Sequence, residues 1–130
     1  MADINIIIRS PEELSDQLRA FALSFPEAVR TSTWEEMQTI LGESIKLCPI
    51  EFGRLRASGY TTEPAIGPDG SITAKIGYGT DYAVYVHEIL TNYHKPPTQA
   101  KFLEVPLLAH AGSMLRNIVS RVNSKIGVSR

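Results

Sequence analysis

Tyr60-Thr61-Thr62-Glu63 and Ile72-Thr73-Ala74-Lys75-Ile76 are two alternating runs, joined by a loop that contains Gly67-Pro68-Asp69-Gly70. β-Branched and aromatic residues at alternate positions suit a pleated surface with one buried face, and Asp-Gly supplies the positive φ of a tight hairpin turn. This hairpin decides the fold class, because the sequence on either side of it has the period of a helix. Upstream, Met37, Ile40, Leu41, Ser44, Ile45 and Cys48 recur at spacings of three and four with Trp34 at the edge, which predicts a long helix from Pro26 to Cys48 closed by Pro49. Downstream, Leu108, Ala111, Leu115, Ile118, Val119, Val122 and Ile126 make a second stripe, expected on a helix from about Ala100 to Lys125 with Pro106 in its first turns and Gly127 just past its end. Two long amphipathic helices covering one face of a small, mainly antiparallel sheet make an α+β domain.

Further out, Ile4, Ile6 and Ile8 form a short β-branched strand, stopped at Arg9-Ser10-Pro11. Ser10-Pro11-Glu12-Glu13 reads as a helix start, with a hydroxyl cap, proline at the first position and acids at the positive end of the dipole. The short helix after it is expected to align Leu14, Leu18 and Phe21 or Ala22, and to end before Pro26. Gly42, in mid-helix, costs ~1 kcal/mol against alanine, a hint of close approach by another element. The segment up to Ser58 is expected to be a polar, basic loop around Gly53. Gly77 to Asp81 is expected to turn, with Asp81 capping a short helix that carries Tyr82, Val86 and Ile89. Pro96 and Pro97 stiffen a loop over 91–99. The sheet's second face and its edges are left for another subunit to cover.

The 130 residues suit one domain, 1–130, and 43% hydrophobic with 21% charged residues supplies a real core. A formal net charge of −1 argues against a nucleic-acid coat, which carries a marked basic excess. From Lys101 onward, however, Lys101, Arg116, Arg121, Lys125 and Arg130 face one acid, Glu104. Two electrically unlike surfaces suit head-to-tail subunit contacts or a basic lumen facing DNA; cations favoured near a helix C-terminus account equally well for Arg121 and Lys125. A single cysteine, Cys48, excludes an intrachain disulfide framework. With no run of ~18 apolar residues and no signal-like start, no membrane association or export is expected.

His87-Glu88 with His94 and the distant His110 suggests a small metal-dependent hydrolase, but a zincin helix needs a second histidine four positions on, where Thr91 stands. Cys48 lies on the apolar stripe, as a buried small hydrophobe does. Gly77-Tyr78-Gly79 lacks the third glycine and long helix of a dinucleotide fingerprint. Arg54 and Arg56, with Phe52 and Tyr60, offer a small nucleic-acid footprint; a solvated or intersubunit loop is the plainer reading.

Three segments together resemble a known family. Cys48-Pro49-Ile50-Glu51-Phe52-Gly53-Arg54-Leu55-Arg56-Ala57-Ser58 resembles a proline followed by Gly-Arg-Leu-Arg-x-Ser after a long helix, with Phe52 where a small hydroxyl residue is usual. Gly77-Tyr78-Gly79-Thr80-Asp81-Tyr82-Ala83-Val84-Tyr85-Val86-His87-Glu88 is similar to a Tyr-Ala-x-Tyr-Val-His/Glu-Glu block. Gln99-Ala100-Lys101-Phe102-Leu103-Glu104-Val105-Pro106-Leu107 is similar to a closing Lys-Phe-Leu-x-x-Ala/Pro-Leu helix start. In this order they resemble the HK97 gp10-like phage tail-component family of neck, tail-completion and minor capsid proteins, over roughly residues 30 to 120. The resemblance implies a structural virion protein at the head–tail junction of a tailed bacteriophage, assembled in the bacterial host cytoplasm. It would form a homo-oligomeric ring between the head connector and the tail proteins, with the tail terminator or another connector ring as the alternative level. It implies no catalytic residue, cofactor or metal. Gly53, Arg54, Leu55, Ser58, Tyr82, Ala83, Tyr85, Val86, Glu88, Phe102 and Leu103 would be structural. Arg54, Arg56, Arg121 and Lys125 would face a neighbouring subunit or make passive contact with DNA in the channel.

Overall fold

The computed structural model describes residues 4–9, 16–48, 53–80, 83–88 and 101–127, with the backbone alone at 4–9, 16–17, 53 and 84–86. The sequence produces an α+β fold, its sheet antiparallel throughout the described residues. Strand β1 (Ile4–Arg9) lies along one side of β4 (Ile72–Tyr78), with Ile4 opposite Tyr78 and Arg9 opposite Thr73. The other side of β4 carries β2 (Gly59–Thr61) and β3 (Ala65–Ile66). These two are one strand interrupted by a bulge. Thr61 faces Ile76 and Ala65 faces Thr73, so three residues on one side oppose two on the other. Pro64 sits in the extra residues, where its missing N–H costs no ladder bond. Thr62 repairs the gap: its N–H donates to Lys75 O at 2.8 Å, and its hydroxyl accepts from Lys75 N at 2.9 Å.

A hairpin forms at the expected place, but its turn is shorter than expected, because Ala65 and Ile66, read as part of the loop, pair with β4 as β3. Gly70 N donates to Gly67 O at 3.0 Å and Gly67 N to Ser71 O at 2.8 Å, while Asp69 Oδ1 accepts from Ser71 N at 3.0 Å. Gly70 has φ +84°, and a Cβ there would come within 2.7 Å of Arg19 Cγ. The hairpin tip therefore docks on α1 (Asp16–Ser24) of its own chain.

Helix α2 (Pro26–Leu47) is the spine of the fold. Pro26 occupies its first turn, where the lost N–H is an orphan in any case. Cys48 leaves it with ψ 134°, the extended conformation that a following proline imposes. Two core clusters sit along α2. Towards its N-terminus, Val29 packs with Leu18 and Ala22 of α1, Ile72 of β4, and Ile118 and Val122. Towards its C-terminus, Met37, Ile40, Leu41 and Cys48 meet Ala74, Ile76 and Tyr78, the alternate residues of β4. On the opposite face of β4, Thr73 and Lys75 remain half exposed. Among the described residues, both edges of the sheet, β1 and β2–β3, pair on one side only.

The structure corrects four expectations. The basic segment after Pro49 is helical from Gly53 to Ala57 (α3), so Gly53 opens a helical turn instead of bending a loop. The turn that follows α3 contains Ser58, and β2 begins at Gly59. Gly77 and Tyr78 end β4, with Tyr78 fully buried, so the turn begins only at Gly79. The second long helix is broken into α5 (Glu104–His110) and α6 (Met114–Ile126). At the break, Ala111 N bonds to Leu108 O and Ser113 N to His110 O, tightened turns around the poor helix formers Gly112 and Ser113. The break removes Leu108 (67% exposed) from the apolar stripe, which survives in Ile118 and Val122. Nor does Gly42 admit a close neighbour, since a Cβ there would meet nothing within 4 Å. Gly59 does so instead: a Cβ on it would lie 3.1 Å from Leu41 and 3.2 Å from Tyr78. Gly127 ends α6 in the left-handed region, φ +77°, as expected. The cap residues Ser10 and Asp81, and the 91–99 loop, lie outside the described residues.

Candidate functional site

The three sequence segments are far apart in the chain, and the fold gathers them on the C-terminal core cluster. Leu55 of α3, Tyr78 of β4, Ala83 of α4 (Ala83–Glu88), and Phe102 and Leu103 before α5 are all fully buried there. Phe102 is the wedge. Its ring meets Tyr78 edge-on at 5.1 Å and His87 edge-on at 5.0 Å, the geometry that places ring edges against π-faces. Tyr78 Oη is 2.6 Å from Ser44 Oγ, so the buried phenol is tied to α2. Burial raises the Tyr78 pKa strongly, so it stays a neutral hydrogen-bonding group. Ser58 joins the first two segments, its hydroxyl donating to Leu55 O at 2.7 Å and accepting from Gly79 N at 3.1 Å.

His87 is 2% exposed. Glu104 N donates to its Nε2 at 3.4 Å, leaving Nδ1 to carry the proton towards Glu88 Oε2 at 2.7 Å. Burial lowers its pKa, against the opposing pull of Glu88, so the imidazole is neutral and the contact with Glu88 is a hydrogen bond rather than an ion pair. Glu88 also binds Lys101 Nζ, and this cation holds the Glu88 carboxyl below its usual range. Lys101 N donates to His87 O at 2.8 Å. Lys101 has φ +59°, a left-handed conformation unusual outside glycine. His87, Glu88 and Lys101 together form a clasp that fixes α4 to the start of α5. With Nε2 turned to a backbone amide, His87 presents no free basic nitrogen.

The remaining chemical candidates are placed elsewhere. His110 Nε2 lies 3.0 Å from Glu43, on α5, away from the His87 clasp; His94 lies outside the described residues. Among the described residues, no three His, Cys, Asp or Glu side chains are placed to hold a metal ion. Cys48 is fully buried. Tyr82 lies outside the described residues, and Tyr85 and Val86 are described by backbone only.

The four candidate cations have different fates. Arg56 turns back on α2, donating to Cys48 O at 2.9 Å and Lys46 O at 3.3 Å, where a cation satisfies the last carbonyls of a helix. Lys125 Nζ is 2.8 Å and Arg121 Nη1 3.4 Å from Glu35 Oε1, and Lys125 foremost holds the Glu35 carboxyl low. Arg54 is exposed, with no ion pair among the described residues. Much of the basic excess of α6 is therefore balanced inside the chain.

Sequence reading missed Glu36, 1% exposed between α2 and α6. It accepts from Asn117 Nδ2 at 2.9 Å and lies 3.4 Å from Arg121 Nε. The signal was available: Glu36 stands three residues after Thr33 and four before Ile40, on the stripe itself, and Asn117 and Arg121 are spaced for one face of α6.

No family model matches the chain, and neither a curated protein nor a solved structure does. No helix among the described residues is long and apolar enough to cross a membrane.

Proposed function

We propose that this chain is a structural virion subunit of a tailed bacteriophage, a ring-forming neck or tail-completion protein that joins the head connector to the tail. The observation that carries the reading is the convergence of three ordered motif segments on one core around Phe102. Their residues fix loops and helix ends, a scaffold's task and not a catalyst's. His87 and Glu88, the most reactive-looking pair, serve to close the clasp on Lys101 and Glu104. The sheet edges support the reading as well, since among the described residues each has an unpaired side available to a neighbour. On this reading the protein takes no cofactor. Its partners are copies of itself and the adjacent connector and tail proteins, with passive contact between exposed arginines and DNA in the channel.

Imaging of assembled phage particles carrying a tagged copy of the chain tests the proposal. A ring of tag at the head–tail junction is expected, and its level there separates a neck subunit from a tail terminator. A chain that stays monomeric with and without its phage neighbours, and that is absent from particles, refutes it.

A further inference from the structure

A groove of about 330 Å³ runs beside the N-terminal half of α2, lined by Glu27, Arg30, Thr31 and Trp34 of the helix and by Glu63 and Pro64 of the strand bulge. Trp34 is 42% exposed, unusual for an indole that has a core beside it. Arg30 is paired with Glu27, whereas Glu63 is exposed and has no cation of its own among the described residues. Two carboxylates against one guanidinium leave the groove acidic, with an aromatic face open beside the uncompensated charge.

Among the described residues the opposite end of α2 carries more cations than acids, and the acid there, Glu43, lies against His110 Nε2 at 3.0 Å. Lys46 and Arg54 are exposed there, and Arg56 anchors α3 to the carbonyls of Lys46 and Cys48. At ~1.5 Å per residue, Thr31 and Leu47 lie about 24 Å apart along a rigid helix. Within one molecule Arg54 makes no ion pair among the described residues, with Glu63 or with any other acid.

We propose that the acidic groove and the basic α3 meet between molecules: the groove receives α3 of a second copy of this chain, with Arg54 of that copy set between Glu63 and the exposed face of Trp34. A guanidinium stacks on an indole and bonds a carboxylate at the same time, which an ammonium does less well. Because the two surfaces differ and lie at opposite ends of α2, the contact is head-to-tail, the kind that builds a ring when its rotation closes. This inference deepens the ring reading and rests on it for closure.

Sedimentation velocity of the full chain over a range of concentrations and salt tests it. The wild type is expected to self-associate, more weakly at high salt. Trp34→Ala, Glu63→Arg and Arg54→Glu should each weaken association at least about tenfold with unchanged circular dichroism. Combining Glu63→Arg with Arg54→Glu should recover part of the loss. A mixture of Trp34→Ala and Arg54→Glu chains retains one intact interface per pair, so it should give dimers and nothing larger. If the wild type forms oligomers and these variants match it, the groove assignment fails while the ring reading stands. A wild type that is monomeric at every concentration overturns the groove assignment, and the imaging of assembled particles then decides the ring reading separately.

Discussion

Replacing Arg121 by methionine should cost more stability than replacing Glu36 by methionine, although both changes delete the same ion pair. Glu36 is 1% exposed, whereas the Arg121 side chain is 35% exposed. Without Arg121, a carboxylate remains buried with Asn117 as its nearest donor, at 2.9 Å, and His110 Nδ1 at 3.9 Å. Breaking a fully buried pair this way costs about 3–5 kcal/mol, and the solvent already reaching Arg121 reduces this to about 2–3 kcal/mol. Without Glu36, Arg121 keeps Glu35 at 3.4 Å and its access to water, so the loss is about 1 kcal/mol. The double substitution should lie within about 1 kcal/mol of wild type, because apolar side chains of similar volume can replace a buried ion pair without loss. Urea unfolding followed by far-ultraviolet circular dichroism reads all three. With a slope of about 1.5–2 kcal/mol per molar, Arg121→Met should lower the midpoint by about 1–2 M. Equal losses for the two single variants, or a double variant whose loss is their sum, would refute the claim that the penalty comes from an orphaned carboxylate.

Three further outcomes are expected. Because burial lowers the His87 pKa below its usual 6.5, the unfolded chain takes up that proton first. The stability His87 contributes is therefore complete above about pH 6.5 and is lost as pH falls through the lower folded value; in His87→Gln this component of the unfolding profile should vanish. Gly70→Ala forces a side chain into φ +84° and against Arg19; a loss of about 1–3 kcal/mol in urea unfolding is expected, against little change for Gly112→Ala, which has open space. Ser32 is fully buried and its hydroxyl finds no partner among the described residues, so Ser32→Ala should raise stability by about 1 kcal/mol in thermal unfolding.

By itself the sequence determined the elements whose causes are local. Alternation at 72–76 and the Asp69-Gly70 turn specified the hairpin, Pro26 and Pro49 bounded α2, and Gly127 stopped α6, because turn chemistry and side-chain period act over a few residues. It also marked the segments that carry Leu55, Ala83 and Phe102. Tertiary structure decided what depends on distance. Whether Leu108 faced the core turned on a break at Gly112 that the apolar period alone does not register. Which glycine met a neighbour turned on β2 passing α2, so Gly59 and not Gly42 holds that place. The charge of α6, unbalanced in sequence, is largely balanced in space by Glu35 and Glu36. Charge and contact are properties of neighbours, and neighbours from different elements exist only once the chain has folded.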